Sequence, residues 1–185
     1  WTYVREYVDV PAEARSMGFP LYGGDSGKTW FDEVSLLTVP EHEAVVGTPT
    51  LDGRLEEACW AAGKPLAPFA IHTGEGLAVP QPEARMAYDE NAIHFAFSCP
   101  HRPGVALLAN ATEHDQDVWL DDSVEVFIAP GADSGDYYTQ VCVNSLGVIR
   151  DSRGMDPTWE SGATAAALKE AGRWTVELSV PYEHL

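Results

Sequence analysis

Short segments rich in Val, Tyr, Phe and Thr alternate along the chain with clusters of Gly, Pro, Asn and Asp. Two of these segments, Ser123–Ile128 and Tyr138–Val143, alternate apolar and polar side chains and flank a loop rich in Gly and Asp. Because successive side chains in a strand point to opposite faces, the two segments predict an antiparallel strand pair. The whole pattern predicts an all-β fold, an antiparallel β-sandwich of the immunoglobulin-like or jelly-roll type.

Three other segments extend the β pattern. Ala84–Tyr88 and Ile93–Phe97 are separated by turn-forming residues and predict a β-hairpin. Arg173–Val180 predicts the last strand, which the following proline would end. The chain therefore contains enough strands to form two packed sheets.

Two segments have helical character. Leu55–Ala62 predicts a short helical turn, with Gly63 at its C-cap. The segment 163–171 has strong helix propensity, but its place within a β pattern favours a strand. Helix and strand both stay open for that segment.

The charge of the chain restricts its partners. The 185 residues include 29 acidic and 11 basic side chains, a net charge of −18. A field of this sign repels nucleic acid and anionic membrane surfaces, whereas a neutral sugar is indifferent to it. No apolar run reaches the roughly 20 residues that a membrane helix needs. We therefore expect carbohydrate to be compatible with this chain, and nucleic acid and membranes not to be partners.

The three cysteines, Cys59, Cys99 and Cys142, are widely spaced. The chain has no C-x-x-C pair, so the spacing supports neither a zinc site nor a redox motif. A Cys99–Cys142 disulfide and buried free thiols both stay open.

The chain divides into two unequal parts. Residues 1–38 end in the strand-like segment Trp30–Leu36, which resembles the final strand of a galactose-binding-like jelly-roll carbohydrate-binding module. Residues 39–47 have the polar character of a linker, and residues 48–185 form the main unit. The first residues lack the features of a signal peptide. We therefore expect the chain to begin inside a longer protein, after the first half of the preceding module.

The main unit resembles family 9 carbohydrate-binding modules, although it departs from their pattern at one polar position. The resemblance rests on short segments in the family's order: Thr50–Gly53, Tyr88–Phe95, Trp119–Ile128, Val143–Asn144 with Gly147, and Trp174–Glu177 with Val180, Pro181 and Leu185. Such modules are β-sandwiches that hold a terminal sugar between two tryptophans. The resemblance implies that Trp119 is the first of these walls and that the second lies beyond Leu185.

The resemblance also implies polar contacts to the sugar. By position, these contacts come from Glu125 and Arg85. Strand alternation adds Gln140 and Asn144 on the face that would meet Glu125. Cys142 stands where the best-known sugar binders of the family carry an arginine. The expected site therefore contains Trp119, Glu125, Arg85, Gln140 and Asn144.

The carboxylates of the same segment bear on catalysis and on metal binding. A glycosidase needs two carboxyl groups on opposite sides of the scissile bond, which Asp121, Asp122 and Glu125 on one short segment cannot provide. We therefore expect no enzyme activity in this chain. The acidic cluster around Asp121 and Asp122, with Asp115 and Asp117 nearby, predicts either a calcium site or a solvated acidic loop.

The sequence thus predicts a non-catalytic carbohydrate-binding module. We expect it to target a larger secreted, glycan-active protein to polysaccharide, at the surface of or outside a bacterial cell, together with other domains of its chain. A structural spacer that keeps the scaffold without a sugar site is one alternative. A haem-binding redox domain of the related sandwich superfamily, using Met86 or Met155 with a histidine, is another.

Overall fold

The structure of the chain is a computed structural model that describes residues 42–71, 76–129, 138–154 and 156–185. The predicted module end at 1–38 lies outside these residues, as does the first part of the predicted linker. The described part contains eight strands and one short helix: β1 (Val45–Val46), α1 (Ala58–Ala62), β2 (Glu83–Tyr88), β3 (Ala92–Pro100), β4 (Ser123–Ile128), β5 (Thr139–Asn144), β6 (Ile149–Arg153), β7 (Thr164–Glu170) and β8 (Arg173–Pro181). Single 3₁₀ turns lie at Val118–Leu120 and Tyr182–His184.

The strands form two sheets. The larger sheet has the strand order β1-β2-β3-β8-β7, and the smaller sheet has the order β4-β5-β6. All pairs are antiparallel except β1 with β2, which run parallel. The predicted all-β, mainly antiparallel sandwich is therefore confirmed. The predicted pair of Ser123–Ile128 with the segment after the Gly-rich loop is also confirmed, with Glu125 opposite Cys142.

The core lies between the two sheets. Alternate side chains of both sheets point inward and form one apolar cluster, as expected for a sandwich. Its buried members are Ala84, Phe95, Phe97, Val126, Val141, Val143, Ile149, Trp174, Val176, Leu178 and Val180. Because these residues face inward, their strand neighbours must face outward on each sheet.

The outer face of the larger sheet is covered by the segment 51–63. The carboxylate of Glu177 on β8 accepts hydrogen bonds from the backbone N–H groups of Asp52 and Gly53, at 2.9 and 2.8 Å. It also accepts one from Trp60 Nε1 at 2.8 Å. Trp60 and Cys59 then pack on Ala87 and Ala96 of the sheet. A buried carboxylate with three donors thus fixes this segment to the sandwich.

Several local features differ from the sequence expectations or settle an open alternative. The segment 163–171 contains strand β7, because pairing with β8 outweighs its helix propensity. Val45 and Val46, within the expected linker 39–47, pair with Ala87 and Tyr88 as β1. The three cysteines are free, so Cys99 on β3 and Cys142 on β5 form no disulfide.

Candidate functional site

The outer face of the smaller sheet carries three of the polar residues that the sequence assigned to a site, Glu125, Gln140 and Asn144. Here, "outer face" means the side of β4, β5 and β6 that points away from the core. Val126 and Val141 face the core, so Glu125 and Gln140 point outward. Gln140 Nε2 donates a hydrogen bond to Glu125 Oε2 at 2.8 Å. This bond holds the carboxylate at the surface, and Glu125 Oε1 has no partner among the described residues.

Trp119 lies beside this face on the 3₁₀ turn Val118–Leu120. Val118 is fully buried and packs with Ala111 and Cys142, which presses the turn onto β5. Trp119 itself remains 41% exposed. The buried Val118 thus places this turn over Cys142, whose register partner on β4 is Glu125.

Arg150 joins Trp119 on this face, although sequence reasoning missed it. Its guanidinium carbon lies 4.1 Å from the centre of the Trp119 ring, a cation–π contact. One of its nitrogens, Nη1, donates to the backbone oxygen of Asp115 at 3.1 Å. Glu125, Cys142 and Arg150 lie in one register row across β4, β5 and β6. The acceptor Glu125 and the donor Arg150 are therefore about 10 Å apart at their backbones.

Two further aromatic residues lie on the same face. Phe127 is two residues from Glu125 on β4 and is 59% exposed. Its ring centre is 5.7 Å from that of Tyr138, with an angle of 56° between the planes. A tilted aromatic pair of this kind is a favourable arrangement. The outer face thus offers aromatic rings, a carboxylate, an amide and a guanidinium together.

A single family accounts for most of the described chain. The model of the family described as "Carbohydrate family 9 binding domain-like" matches residues 51–185. The chain belongs to this family. The family is one of non-catalytic binding modules.

Three solved structures are similar to this family 9 domain. A candidate carbohydrate-binding protein from Bacteroides uniformis ATCC 8492 is similar at 18% identity and a TM-score of 0.57, over 76% of this chain and 71% of that chain. A family 9 carbohydrate-binding module from Caldicellulosiruptor kristjanssonii, solved in complex with cellotriose, is similar at 16% identity and a TM-score of 0.46, over 74% of this chain and 65% of that chain. The same module in complex with glucose is similar at 16% identity and a TM-score of 0.47, over 75% of this chain and 66% of that chain. Comparison with curated proteins gave no match.

Asn144 is a correction to the expected site. Its side chain is 0% exposed, and all four of its hydrogen-bonding positions are used within the domain. Nδ2 donates to Ala111 O and to Asp121 Oδ2, both at 2.9 Å. Oδ1 accepts from the N–H groups of Leu146 and Val148, both at 3.0 Å. Asn144 therefore stabilises the loops around the family 9 face and cannot contact a ligand.

Arg85 is a second correction, because it lies on the other sheet. On β2 it pairs with Ala96 of β3, in the row that faces away from the core. Its Nη2 forms an ion pair with Glu83 Oε2 at 3.1 Å. The whole sandwich thus separates Arg85 from Glu125. On the Glu125 face, the guanidinium comes from Arg150.

Asp121 and Asp122, the residues of the predicted calcium site, hold a loop through hydrogen bonds. Asp121 accepts hydrogen bonds from the N–H groups of Asn110 and Ala111 and from Asn144, and Asp122 accepts one from Leu108 N at 2.7 Å. Burial disfavours the charged carboxylate of Asp121, but these donors outweigh it and keep its pKa below the usual value. Asp121 thus accepts three hydrogen bonds and Asp122 accepts one, which gives both carboxylates a role in the loop, and the calcium site stays a prediction.

Cys142 is buried at the position where family 9 sugar binders carry an arginine. Desolvation raises the pKa of its thiol to about 11, so the group is neutral at physiological pH. It packs against Ala111 and Val118. Cys142 therefore packs under the turn that carries Trp119, where its thiol is too buried to make a polar contact to a ligand.

Among the residues that the structure describes, one other group of side chains could hold a metal ion. Ligand atoms of His114, Asp115 and Glu160 lie within 4.8 Å of one another. His114 is 3.2 Å from Asp115 and 3.8 Å from Glu160, one contact through each ring nitrogen. This is a surface ion-pair arrangement that needs no ion. For the haem alternative, Met86 packs against the core and Met155 lies outside the described residues.

Across the described ranges, no helix is long and apolar enough to span a membrane.

Proposed function

We propose that this domain binds a neutral carbohydrate on the outer face of the smaller sheet, with Trp119 as the aromatic wall and Glu125 as an acceptor of sugar hydroxyl hydrogen bonds. The observation that carries the proposal is that an exposed tryptophan and an exposed carboxylate, which Gln140 already fixes, lie on the outer face of the same sheet. A surface position for a large aromatic ring exposes apolar area to water, which a sugar's C–H face would cover.

The chemistry of the face suits a sugar. Trp119 supplies a ring for the C–H face, and Glu125 Oε1, which has no partner within the described ranges, can accept from a hydroxyl. Arg150 already lies on one side of Trp119 and fixes the ring's orientation. The part of the ring that Arg150 leaves open is the wall that we assign to the ligand.

The proposed sugar binding would serve a larger protein of which this domain is a part. Family membership supports a binding module, and relatives of this fold have been solved with glucose and with cellotriose. We propose that the domain targets a larger secreted, glycan-active protein to polysaccharide outside a bacterial cell. The net charge of −18 supports a neutral polymer over an anionic one, because it repels the latter.

Calorimetric titration of the whole chain tests the proposal. The ligands are mono- and disaccharides of glucose, xylose and galactose. We expect the wild type to bind at least one of them. Trp119→Ala should bind it at least about tenfold more weakly, because the ring stacking and the apolar contact area that are lost together contribute more than about 1.4 kcal/mol of binding free energy. Glu125→Gln should also weaken binding, because a charged acceptor becomes neutral while the shape is kept.

Tyr88→Ala is the matched control. Tyr88 is as exposed as Trp119, at 41%, but lies on β2 of the other sheet. Equal binding by wild type and Trp119→Ala would place the site elsewhere. A wild type that binds none of the sugars would favour the structural-spacer alternative, with buried Cys142 as the first cause to examine.

A further inference from the structure

The outer face of the larger sheet contains a cavity beside helix α1, on the opposite side of the sandwich from Glu125. Its volume is about 280 Å³. Glu83, Arg85 and Ser98 line it from the sheet, because their strand neighbours face the core. Leu55 and Trp60 line it from the segment that covers part of the same sheet. The cavity thus combines charged, hydroxyl and apolar groups.

The guanidinium of Arg85 is incompletely bonded in this cavity. The Arg85 side chain is only 25% exposed, and its Nη2 lies 3.1 Å from Glu83 Oε2. Its Nε is buried and has no hydrogen-bond partner among the described residues. A guanidinium carries five N–H donors, and buried donors are nearly always paired. An oxygen acceptor that enters the cavity would complete the bonding of Arg85.

A second guanidinium lines the cavity but already has its acceptor. Arg173 donates from both Nε and Nη2 to the carboxylate of Glu170. The Arg173 side chain is also more exposed than that of Arg85, so water can reach its other donors. Of the two guanidinium groups in the cavity, that of Arg85 is therefore the one that an incoming acceptor would bond.

The shape of the donor group favours a carboxylate. The Nε–H and Nη2–H groups of an arginine are parallel and match the two oxygens of a carboxylate, whereas the other hydrogen of Nη2 can stay with Glu83. Glu83 and Glu170 repel a doubly charged phosphate more strongly than a singly charged carboxylate. A monocarboxylate therefore fits the charges around Arg85 better than phosphate does.

The rest of the lining limits the body of the ligand. Ligand pockets usually have volumes of about 300–1,000 Å³, so this cavity takes one small ring or a short chain. Leu55 and Trp60 provide apolar contact for C–H groups, and the Ser98 hydroxyl can donate to or accept from a ligand hydroxyl. The lining thus suits a small carboxylate that also carries hydroxyl groups.

The net charge of −18 does not decide the sign of a small ligand in this cavity. Exposed charges are screened over about 8 Å at physiological ionic strength, so the nearest side chains dominate. The charged residues in the lining are two arginines and one glutamate, an excess of one positive charge. A small monoanion is therefore compatible with a chain that repels polyanions.

We propose that this cavity binds a small hydroxylated monocarboxylate, of the class of a single sugar acid. The Arg85 guanidinium holds the carboxylate, Ser98 bonds a hydroxyl, and the carbon body lies against Leu55 and Trp60. This site is independent of the proposed sugar face, because it lies on the other sheet. Each of the two sites can therefore fail in an experiment without the other.

Fluorine NMR of the whole chain, labelled with 5-fluorotryptophan, tests the proposal, with Trp60→Phe to identify the Trp60 signal. Glucuronate should shift the Trp60 signal saturably, whereas glucose, which has the same ring without the carboxylate, and inorganic phosphate should not. Arg85→Gln should weaken glucuronate binding at least about tenfold, because its hydrogen bonds to a charged group are lost. Glu83→Gln should strengthen it about two- to fivefold, because a competing carboxylate is removed.

Controls separate this cavity from other sites and from a lost fold. Arg54→Gln removes the same charge outside the cavity and should leave glucuronate binding unchanged, as should Trp119→Ala on the other sheet. Urea denaturation compares the stability of Arg85→Gln with that of wild type. If Arg85→Gln does not fold, Glu83→Gln decides, and unchanged or weaker binding by it overturns the proposal. A Trp60 signal that does not respond to glucuronate, or that responds equally to glucose or phosphate, also overturns it. So does full affinity in a folded Arg85→Gln, or a response that Trp119→Ala abolishes.

Discussion

Asn144 shows how a polar residue on the outer face of the sheet serves the fold. Its amide joins four backbone or side-chain groups from three loops, all of them around the turn that carries Trp119. Asp121 shares this network through Asn144 Nδ2. The position of Trp119 therefore depends on buried polar groups that never meet the ligand.

Replacing Asn144 tests this at the residue scale. Asn144→Ala would leave buried donors and acceptors without partners, each at about 1–3 kcal/mol. We expect the free energy of unfolding to fall by about 2–4 kcal/mol, measured by urea denaturation. Gln140→Ala is the control, because Gln140 is half-buried and exchanges its bond to Glu125 for water. Equal stability of Asn144→Ala and wild type would contradict the structural role.

Arg85 and Arg150 show what alternation in the sequence leaves undecided. Strand alternation places Arg85 out of step with the core residues of its strand. It does not say which sheet a strand joins or what covers its outer side. Those features depend on contacts between distant residues, such as Gly53 with Glu177, 124 positions apart. Arg150 could have been suggested only by its place opposite Cys142, which depends on the register between β5 and β6.

At the scale of elements, the segment 51–63 is attached to β8 by the carboxylate of Glu177 and by the hydroxyl of Thr175, which donates to Gly53 O at 2.6 Å. The carboxylate of Glu177 accepts hydrogen bonds from Trp60 Nε1 and from two backbone N–H groups. Trp60 also fills the space over Ala87 and Ala96. The helix α1 is too short to be stable alone, so these contacts hold it.

Trp60→Phe tests the attachment. The change keeps an apolar ring but removes one donor to a buried carboxylate, and a hydrogen bond to a charged group contributes about 1.5–3 kcal/mol. We expect a loss of stability of that size and faster amide hydrogen exchange in 51–63. The core Trp174 keeps its environment, so exchange in β8 should change only as much as global stability does. Protection in 51–63 that is the same in both proteins would contradict the attachment.

The strand elements themselves were largely predictable. β4 with β5, and β2 with β3, have clear alternation and turn residues between them, so pattern alone identified both pairs. β7 was ambiguous because Ala and Leu favour helix locally, and only its pairing with β8 decides the outcome. β1 was read as linker because two residues are too few to show a period.

At the scale of the whole molecule, acid stability depends on a turn that links distant parts of the main unit. Asp89 accepts hydrogen bonds from the Thr48 hydroxyl and from the N–H groups of Asn91 and Ala92, and it contacts His94 Nε2 at 3.1 Å. The Thr48 hydroxyl, followed by Asn91 N–H, lowers the pKa of Asp89 well below its usual range. The ionised carboxylate is therefore favoured in the folded state.

The sign of the pH effect follows from this shift. A carboxyl whose pKa is lower when folded stabilises the fold above the unfolded pKa, about 3.9, and that contribution is lost as the pH falls below it. We expect Asp89→Asn to be less stable than wild type at pH 7 and the difference to shrink between about pH 4 and pH 2. Denaturation at a series of pH values measures it. Glu90→Gln, at the exposed neighbouring position, should leave the pH profile unchanged; a constant Asp89→Asn difference would contradict the account.

Fluorine NMR is the most direct test of whether sugar binds at Trp119. The chain has six tryptophans, so 5-fluorotryptophan labelling gives one signal per residue, and Trp119→Phe identifies the signal of Trp119. Titration with the sugar found by calorimetry should shift the Trp119 signal and leave those of the buried Trp60 and Trp174 unchanged. Saturable binding with no shift at Trp119, or with the shift confined to another tryptophan, would contradict the assignment of this face as the carbohydrate site.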